Sequence, residues 1–232
     1  MLIPFRDVNP SRRTPIVNYI LIALNVMAFI YELSLGSYRL PIFFRIYGII
    51  PFEYTHHVDI PPPSAIPMNL FTAMFLHGGF AHILGNMWFL WIFGDNVEDA
   101  MGHFRYLLFY LLTGLIASFT HIIFSPNSTV PMIGASGAIS GVLGAYFVLY
   151  PGARIIALVP LWFMFTTVIL PAYLYLGLWI IIQLIFGLGS IGAHGAAGGV
   201  AWFAHIGGFI AGALLVPIFA VRRRHPPRYY WW

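Results

Sequence analysis

Three short stretches put reactive side chains where a chain of this kind has little other use for them. "GASGA" (134–138) sets Ser136 among small residues at the mouth of an apolar run. "GGVAWFAHIGGFIAG" (198–212) carries His205 inside another run, and "HGGFAHILGN" (77–86) leads into a third with His77, His82 and Asn86. A serine hydroxyl activated by an imidazole is a nucleophile for acyl transfer. His82 and Asn86 are four residues apart and share a helix face. With the Ser136 backbone N–H, the Asn86 amide can hold a tetrahedral oxyanion, a donor of this kind contributing about 3–4 kcal/mol.

Each residue also has a plainer use. Gly137 and Gly141 form a small-xxx-small pair that lets helix backbones approach, and serine or asparagine can serve as interhelical glue. A histidine in a span can bond a backbone carbonyl. His77 and His82 are five residues apart with no acid or thiol beside them, so no metal is expected there. No cofactor is implied.

These residues must be held by a membrane protein. Of 232 residues 60% are hydrophobic and only 8% charged, against about 25% charged in a soluble domain. So few charges cannot cover a water-facing surface, and the bilayer is the expected solvent. All eleven basic residues are arginine, and the net charge of +4 gathers toward the two ends. That pattern fits membrane orientation better than a nucleic-acid groove. With no cysteine, disulfides and thiolate chemistry are excluded.

Six apolar runs are long enough to be read as spans: about 15–34, 80–96, 104–124, 136–150, 166–187 and 200–220. "GDNVEDAMGH", "SPNSTVPMIGA", "YPGAR" and "GLGSIGAHGAAGG" supply the breaks between the later ones. "SRRTPIV" resembles a twin-arginine export signal, but the run after it lacks a convincing small-residue cleavage site, so it is read as a retained first helix. No internal repeat is evident, and residues 1–232 read as one domain. An even number of spans puts both termini on one side. With the termini cytoplasmic, nine arginines face inward and only Arg39 and Arg45 face out, as the positive-inside rule expects. The first external loop, roughly 35–79, mixes aromatics with Arg and Pro and is expected to lie in the membrane interface. The tail "RRRHPPRYYWW" reads as a basic, aromatic interfacial anchor.

Positions within the spans bring the reactive groups together. The fourth run gives roughly 22 Å of helix, short of the roughly 30 Å hydrocarbon core. Such a helix either thins the bilayer or is wrapped by its neighbours. Its N-terminus, with free backbone N–H groups, would place Ser136 below the outer surface. His205 lies about six residues into the sixth span at comparable depth. Ala204, Gly208 and Gly212 form a second small stripe that can pack against Gly137 and Gly141. No Asp or Glu follows Gly102, and Asp95, Glu98 and Asp99 sit at the opposite end of the second span. Glu32, Glu53 and Asp59 stay possible but occupy no obvious triad position. A Ser136–His205 dyad is the expectation.

"GASGA", "HGGFAHxxxN" and "AHIGGFIAG" together resemble the rhomboid intramembrane serine proteases, over essentially the whole chain. The resemblance implies an all-α membrane protein: a six-transmembrane-helix bundle with a long interfacial first external loop and both termini cytoplasmic. It implies Ser136 as nucleophile, His205 as general base, and Asn86 and His82 at the oxyanion site, preceded by the loop histidine His77. Gly141 would let the fourth helix approach the sixth. The implied substrate is a single-pass transmembrane protein, unwound and cut near the extracytoplasmic face, usually after a small residue. Two positions depart from the family pattern. Met68-Asn69 stands where many members have Trp-Arg in the first loop, and Ser140 stands where some place an aromatic to stack on the histidine.

The alternative is a non-catalytic rhomboid-like protein that binds or routes transmembrane helices. A channel or transporter using His82, Asn86 and His205 as a polar path is a third reading. Retention of serine, histidine and asparagine together favours the protease. The lack of added soluble domains suggests a multi-pass protein of a prokaryotic plasma or inner membrane. Lipid and transmembrane substrates are the expected partners, and oligomeric state is open.

Overall fold

The computed structural model describes residues 2–58, 60–161, 164–191 and 200–221. Asp59, residues 192–199 and the arginine-rich tail from 222 onward lie outside the described residues. In chain order, β1 (Ile3–Asp7) precedes α1 (Ile16–Ser34), and the short helices α2 (Gly36–Tyr47), α3 (Pro51–His56) and α4 (Asn69–Thr72) follow. Then come α5 (Phe80–Met101), α6 (His103–Phe124), α7 (Ser136–Leu149), β2 (Arg154–Leu161), β3 (Met164–Pro171), α8 (Ala172–Gly189) and α9 (Trp202–Phe219).

By length and composition, α1, α6, α8 and α9 can each cross a membrane. The chain is a mostly helical, multi-pass membrane protein. Large apolar side chains stay exposed on the outside of the bundle, among them Ile30 on α1, Ile185 on α8 and Leu214 and Ile218 on α9. Lipid is the solvent that tolerates such a surface.

The all-α expectation needs correcting in one place. β1, β2 and β3 form an antiparallel sheet in that order. The helix expected over 166–187 therefore begins only at Ala172. "TTVI" (166–169) is β-branched and favours extended backbone. Pro171, extended at ψ 146°, disfavours helix in the residue before it. The second helix also runs past the expected 96 to Met101, and Gly102, at φ +79°, makes the whole turn into α6.

Of the two fates open to a short fourth helix, the structure has the second. α7 is 14 residues long, and Gly137 through Tyr146 are all buried by the neighbouring helices. Glycine makes this possible. A Cβ at Gly208 would fall 2.1 Å from the Gly137 carbonyl oxygen, and one at Gly212 would fall 1.9 Å from that of Gly141. Gly144 meets the Phe209 carbonyl at 2.0 Å in the same way. The missing side chains of Gly137 and Gly141 point elsewhere than expected, toward Ala117 and Thr113 of α6. What Gly141 offers α9 is its bare backbone. The two stripes thus seat α7 against α6 on one face and α9 on the other.

The long first loop is tied down by its own residues. Asn69, at the position of the expected Trp-Arg pair, is buried and donates to the Gly48 carbonyl at 3.1 Å. The Tyr54 hydroxyl donates to the Asn69 side-chain oxygen, and Thr72 donates to the Tyr47 carbonyl at 2.8 Å. A bridge between Ile49 and Met132 fastens the loop to the segment that precedes Ser136.

The far end of the bundle collects the polar groups. Glu98 of α5 accepts the N–H groups of Val17 and Asn18 at 2.9 and 2.7 Å, capping α1 from outside its own sequence. Asn18 donates to the Leu90 carbonyl and accepts from the Tyr106 hydroxyl. Asp7 accepts from Tyr146 of α7 at 2.7 Å and from Asn96 of α5 at 2.9 Å. The Val221 N–H donates to the Ala100 carbonyl, so both ends of the described chain meet here.

Two predictions follow from this packing. Gly212→Ala forces α9 off α7 and is expected to cost about 1–3 kcal/mol, read as a lower unfolding temperature in detergent. The second concerns Asp7. Burial holds its carboxyl up at about 7 against an ordinary 3.8, with Asp95 adding to the rise and the Tyr146 and Asn96 bonds opposing it. Between those values the folded form keeps a proton that the unfolded chain has lost. The stability this contributes is complete below 3.8 and gone once pH has risen through about 7. Unfolding temperature should fall across that window and level off above it, and Asp7→Asn should flatten the slope. An Asp7→Asn curve parallel to the wild type would refute the assignment.

Candidate active site

Ser136 is the first residue of α7, where the glycine contacts fix the helix, and it is half-buried. His205 lies in the first turn of α9, the helix packed against it. His205 Nε2 stands 2.9 Å from Ser136 Oγ. A hydroxyl donating to that nitrogen is the arrangement a general base requires. The other ring nitrogen is also held. Nδ1 stands 2.8 Å from the side-chain oxygen of Gln183, a buried residue of α8.

Gln183 was not among the residues singled out from sequence. The signal was present, for it is an amide alone in the apolar run "AYLYLGLWIIIQLIFGLG", costly there unless bonded. Trp179, one turn earlier on α8, sets its ring 5.9 Å from the imidazole at 35°, and Trp202 approaches edge-on at 6.2 Å. Ser140, at the position of the expected aromatic, turns back and donates to the Ser136 carbonyl at 2.6 Å. Support of the histidine therefore comes from α8 and α9 rather than from α7.

His82 and Asn86 lie on the same face of α5, across from Gly134. A Cβ on Gly134 would fall 2.7 Å from His82 Nε2 and 3.7 Å from Asn86 Nδ2. The Gly78 N–H donates to His82 Nδ1 at 3.3 Å, which places the His82 proton on Nε2. Asn86 Nδ2 is buried and has no hydrogen-bond partner among the described residues. Two donors thus face Gly134, two residues before Ser136 in the chain. His77 takes no part in this pair. Its ring packs edge-on against His82, and its backbone N–H donates to Glu32 at 3.1 and 3.3 Å.

The acids left open by the sequence lie elsewhere. Glu32 holds the His77 backbone, and Glu53 accepts from Ser64 and from the Ile60 N–H. Among the described residues no carboxylate bonds to His205, and no three His, Asp or Glu side chains gather as metal ligands.

One space adjoins Ser136, and a second borders the first. A small cavity of about 20 Å³ is lined by Ser136 together with Met74, Ala117, Ser118, Gly137 and Ala204. A groove of about 580 Å³ runs between α2 and the segment before α7, along Ile42, Phe44, His82, Pro131 and Ile133. Met132, Ile133 and Ala201 border both.

Helices with exposed apolar surfaces thus surround a partly buried Ser136–His205 pair, the architecture of a polytopic membrane protein. The chain belongs to the rhomboid family: the Rhomboid domain matches residues 66–222. It is 46% identical over 77 residues to the Rhomboid protease GluP of Bacillus subtilis, covering 33% of this chain and 15% of that protein. It is 32% identical over 169 residues to RHOMBOID-like protein 1 of Arabidopsis thaliana, covering 70% of this chain and 39% of the relative. Rhomboid-like protein 11, chloroplastic, from the same plant is 34% identical over 117 residues, half of this chain and 39% of the relative. The chain thus spans well under half the length of these relatives.

Gly134 has φ +125°, a conformation side chains rarely adopt, besides facing His82. Gly134→Ala is expected to lower stability by about 1–3 kcal/mol and to push His82 off the Gly78 N–H. Thermal unfolding and the His82 ring ¹⁵N shifts would report both.

Proposed function

We propose that this chain is an intramembrane serine endopeptidase that cuts single-pass transmembrane proteins near the extracytoplasmic face. The observation that carries this reading is the 2.9 Å approach of His205 Nε2 to Ser136 Oγ at the protein-lined end of α7. Ser136 attacks the scissile carbonyl while His205 takes its proton and later passes it to the leaving amine. Asn86 Nδ2 and the Nε2–H of His82 receive the oxyanion, which gives the orphaned Asn86 donor the partner it lacks. The cavity beside Ser136 has room for about a methyl group or one water, which supports cleavage after a small residue. The larger groove suits an extended, apolar strand of substrate entering beside α2.

Six spans with both termini cytoplasmic suit the placement of the arginines. Arg6, Arg12, Arg105 and Arg154 belong to the segments at the end of the bundle opposite Ser136. We assign the protein as one membrane domain of a prokaryotic plasma or inner membrane, although relatives include plant chloroplast and mitochondrial proteins. The helix-binding alternative gains no particular support from the site, since binding a helix needs no Ser–His bond.

The test is cleavage of a generic single-pass substrate by purified protein in liposomes. Ser136→Ala and His205→Ala should each abolish product while the protein still unfolds cooperatively. Asn86→Ala should lower kcat by about 10²–10³-fold. Undiminished cutting by Ser136→Ala would sink the protease reading, and helix binding without cleavage by the wild type would install the alternative.

A further inference from the structure

The bond between His205 and Gln183 gives the site a third member of unusual chemistry. A neutral imidazole carries one proton on one of two nitrogens, and only the Nδ1–H tautomer leaves Nε2 free to accept from Ser136. In water-exposed serine hydrolases a buried carboxylate selects this tautomer and stabilises the imidazolium that forms. Here the Nδ1 neighbour is an amide oxygen 2.8 Å away, on a helix whose run contains no carboxylate.

We infer that Gln183 is the positioning residue of this site: its carbonyl accepts from His205 Nδ1–H and so fixes the tautomer that makes Nε2 the base. The inference rests on the protease reading for its catalytic meaning, but not for its hydrogen bond. An amide can present either end to a ring nitrogen. Only the carbonyl end is compatible with Ser136 Oγ–H donating to Nε2, because the NH₂ end would require the proton on Nε2.

The choice of an amide follows from the surroundings. α8 is apolar and largely lipid-facing, so a carboxylate at residue 183 would carry charge into a span with no described cation beside it. The amide orients without charge. Trp179, four residues earlier and on the same face of α8, adds a ring against the imidazole. One helix face therefore delivers both contacts, the polar one to the edge of the ring and the apolar one to its side. An amide that orients but does not ionise leaves the imidazolium without a counter-charge. A carboxylate at this position would hold the imidazolium and make His205 a stronger base. The other titratable groups near the imidazole are His82 and His121, and neither is an acid.

Two readouts test this, one independent of catalysis. In ¹⁵N-histidine-labelled protein in lipid nanodiscs, His205 of the wild type should show a protonated Nδ1 and an unprotonated Nε2. Gln183→Leu should shift it toward a mixture of tautomers. In the cleavage assay Gln183→Leu should lower kcat by about tenfold with KM unchanged, since no substrate contact is lost. Gln183→Glu should restore kcat at high pH and move the acid limb of the kcat–pH profile upward. Gln183→Met replaces the leucine variant if that protein does not unfold cooperatively. An unchanged tautomer and an unchanged kcat in Gln183→Leu would overturn the inference. If the wild type does not cleave but its tautomer responds to Gln183→Leu, the protease reading fails while the hydrogen bond stands.

Discussion

Everything at the site depends on how closely α7 and α9 can approach. Three contacts set that distance, Gly208 on the Gly137 carbonyl, Gly212 on that of Gly141, and Gly144 on that of Phe209. Each puts backbone against backbone with no volume left for a methyl group. In a bilayer the hydrophobic effect does not press helices together, so close van der Waals contact of this kind must do it. The consequence is local and chemical. Ser136 starts one of the two helices and His205 sits in the first turn of the other, so the same contacts that seat the helices bring hydroxyl to imidazole.

Held this way, α7 needs no membrane-length run of its own. It is buried along nearly its whole length, and its N-terminal end lies among protein rather than lipid. Polar groups that would be costly in hydrocarbon are tolerated there because each meets another. Ser136 meets His205, His205 meets Gln183, and His82 accepts from Gly78. Asn86 Nδ2 is the exception among these, a buried donor without a described partner that faces Gly134.

The opposite end of the bundle shows the same economy with different residues. Glu98 closes the N-terminus of α1, and Asp7 ties the first strand to α5 and α7. The α7 helix is thus pinned at Tyr146 as well as along its glycines. Charged residues that made the second span look short are partners of other elements, which is why α5 continues to Met101.

The sequence alone determined the solvent and most of the apolar helices, and it singled out Ser136 and His205, which the fold brings to 2.9 Å. Composition fixes the first, apolar run length the second, and two small-residue stripes at four-residue spacing the third. Such features are local, and each is written in consecutive residues. The strands at 154–161 and 164–171 were also legible in principle, since "TTVI" is β-branched, but apolar content alone cannot tell a buried strand from a span. Only the tertiary structure decided which faces the glycines present, for Gly137 and Gly141 turn their bare sides to α6 while lending their carbonyls to α9. It also decided the third residue. The Nδ1 partner of His205 is no acid but an amide, Gln183, 22 residues upstream on another helix. What brings it into reach is the packing of α8 on α9, and no spacing along the chain encodes that contact.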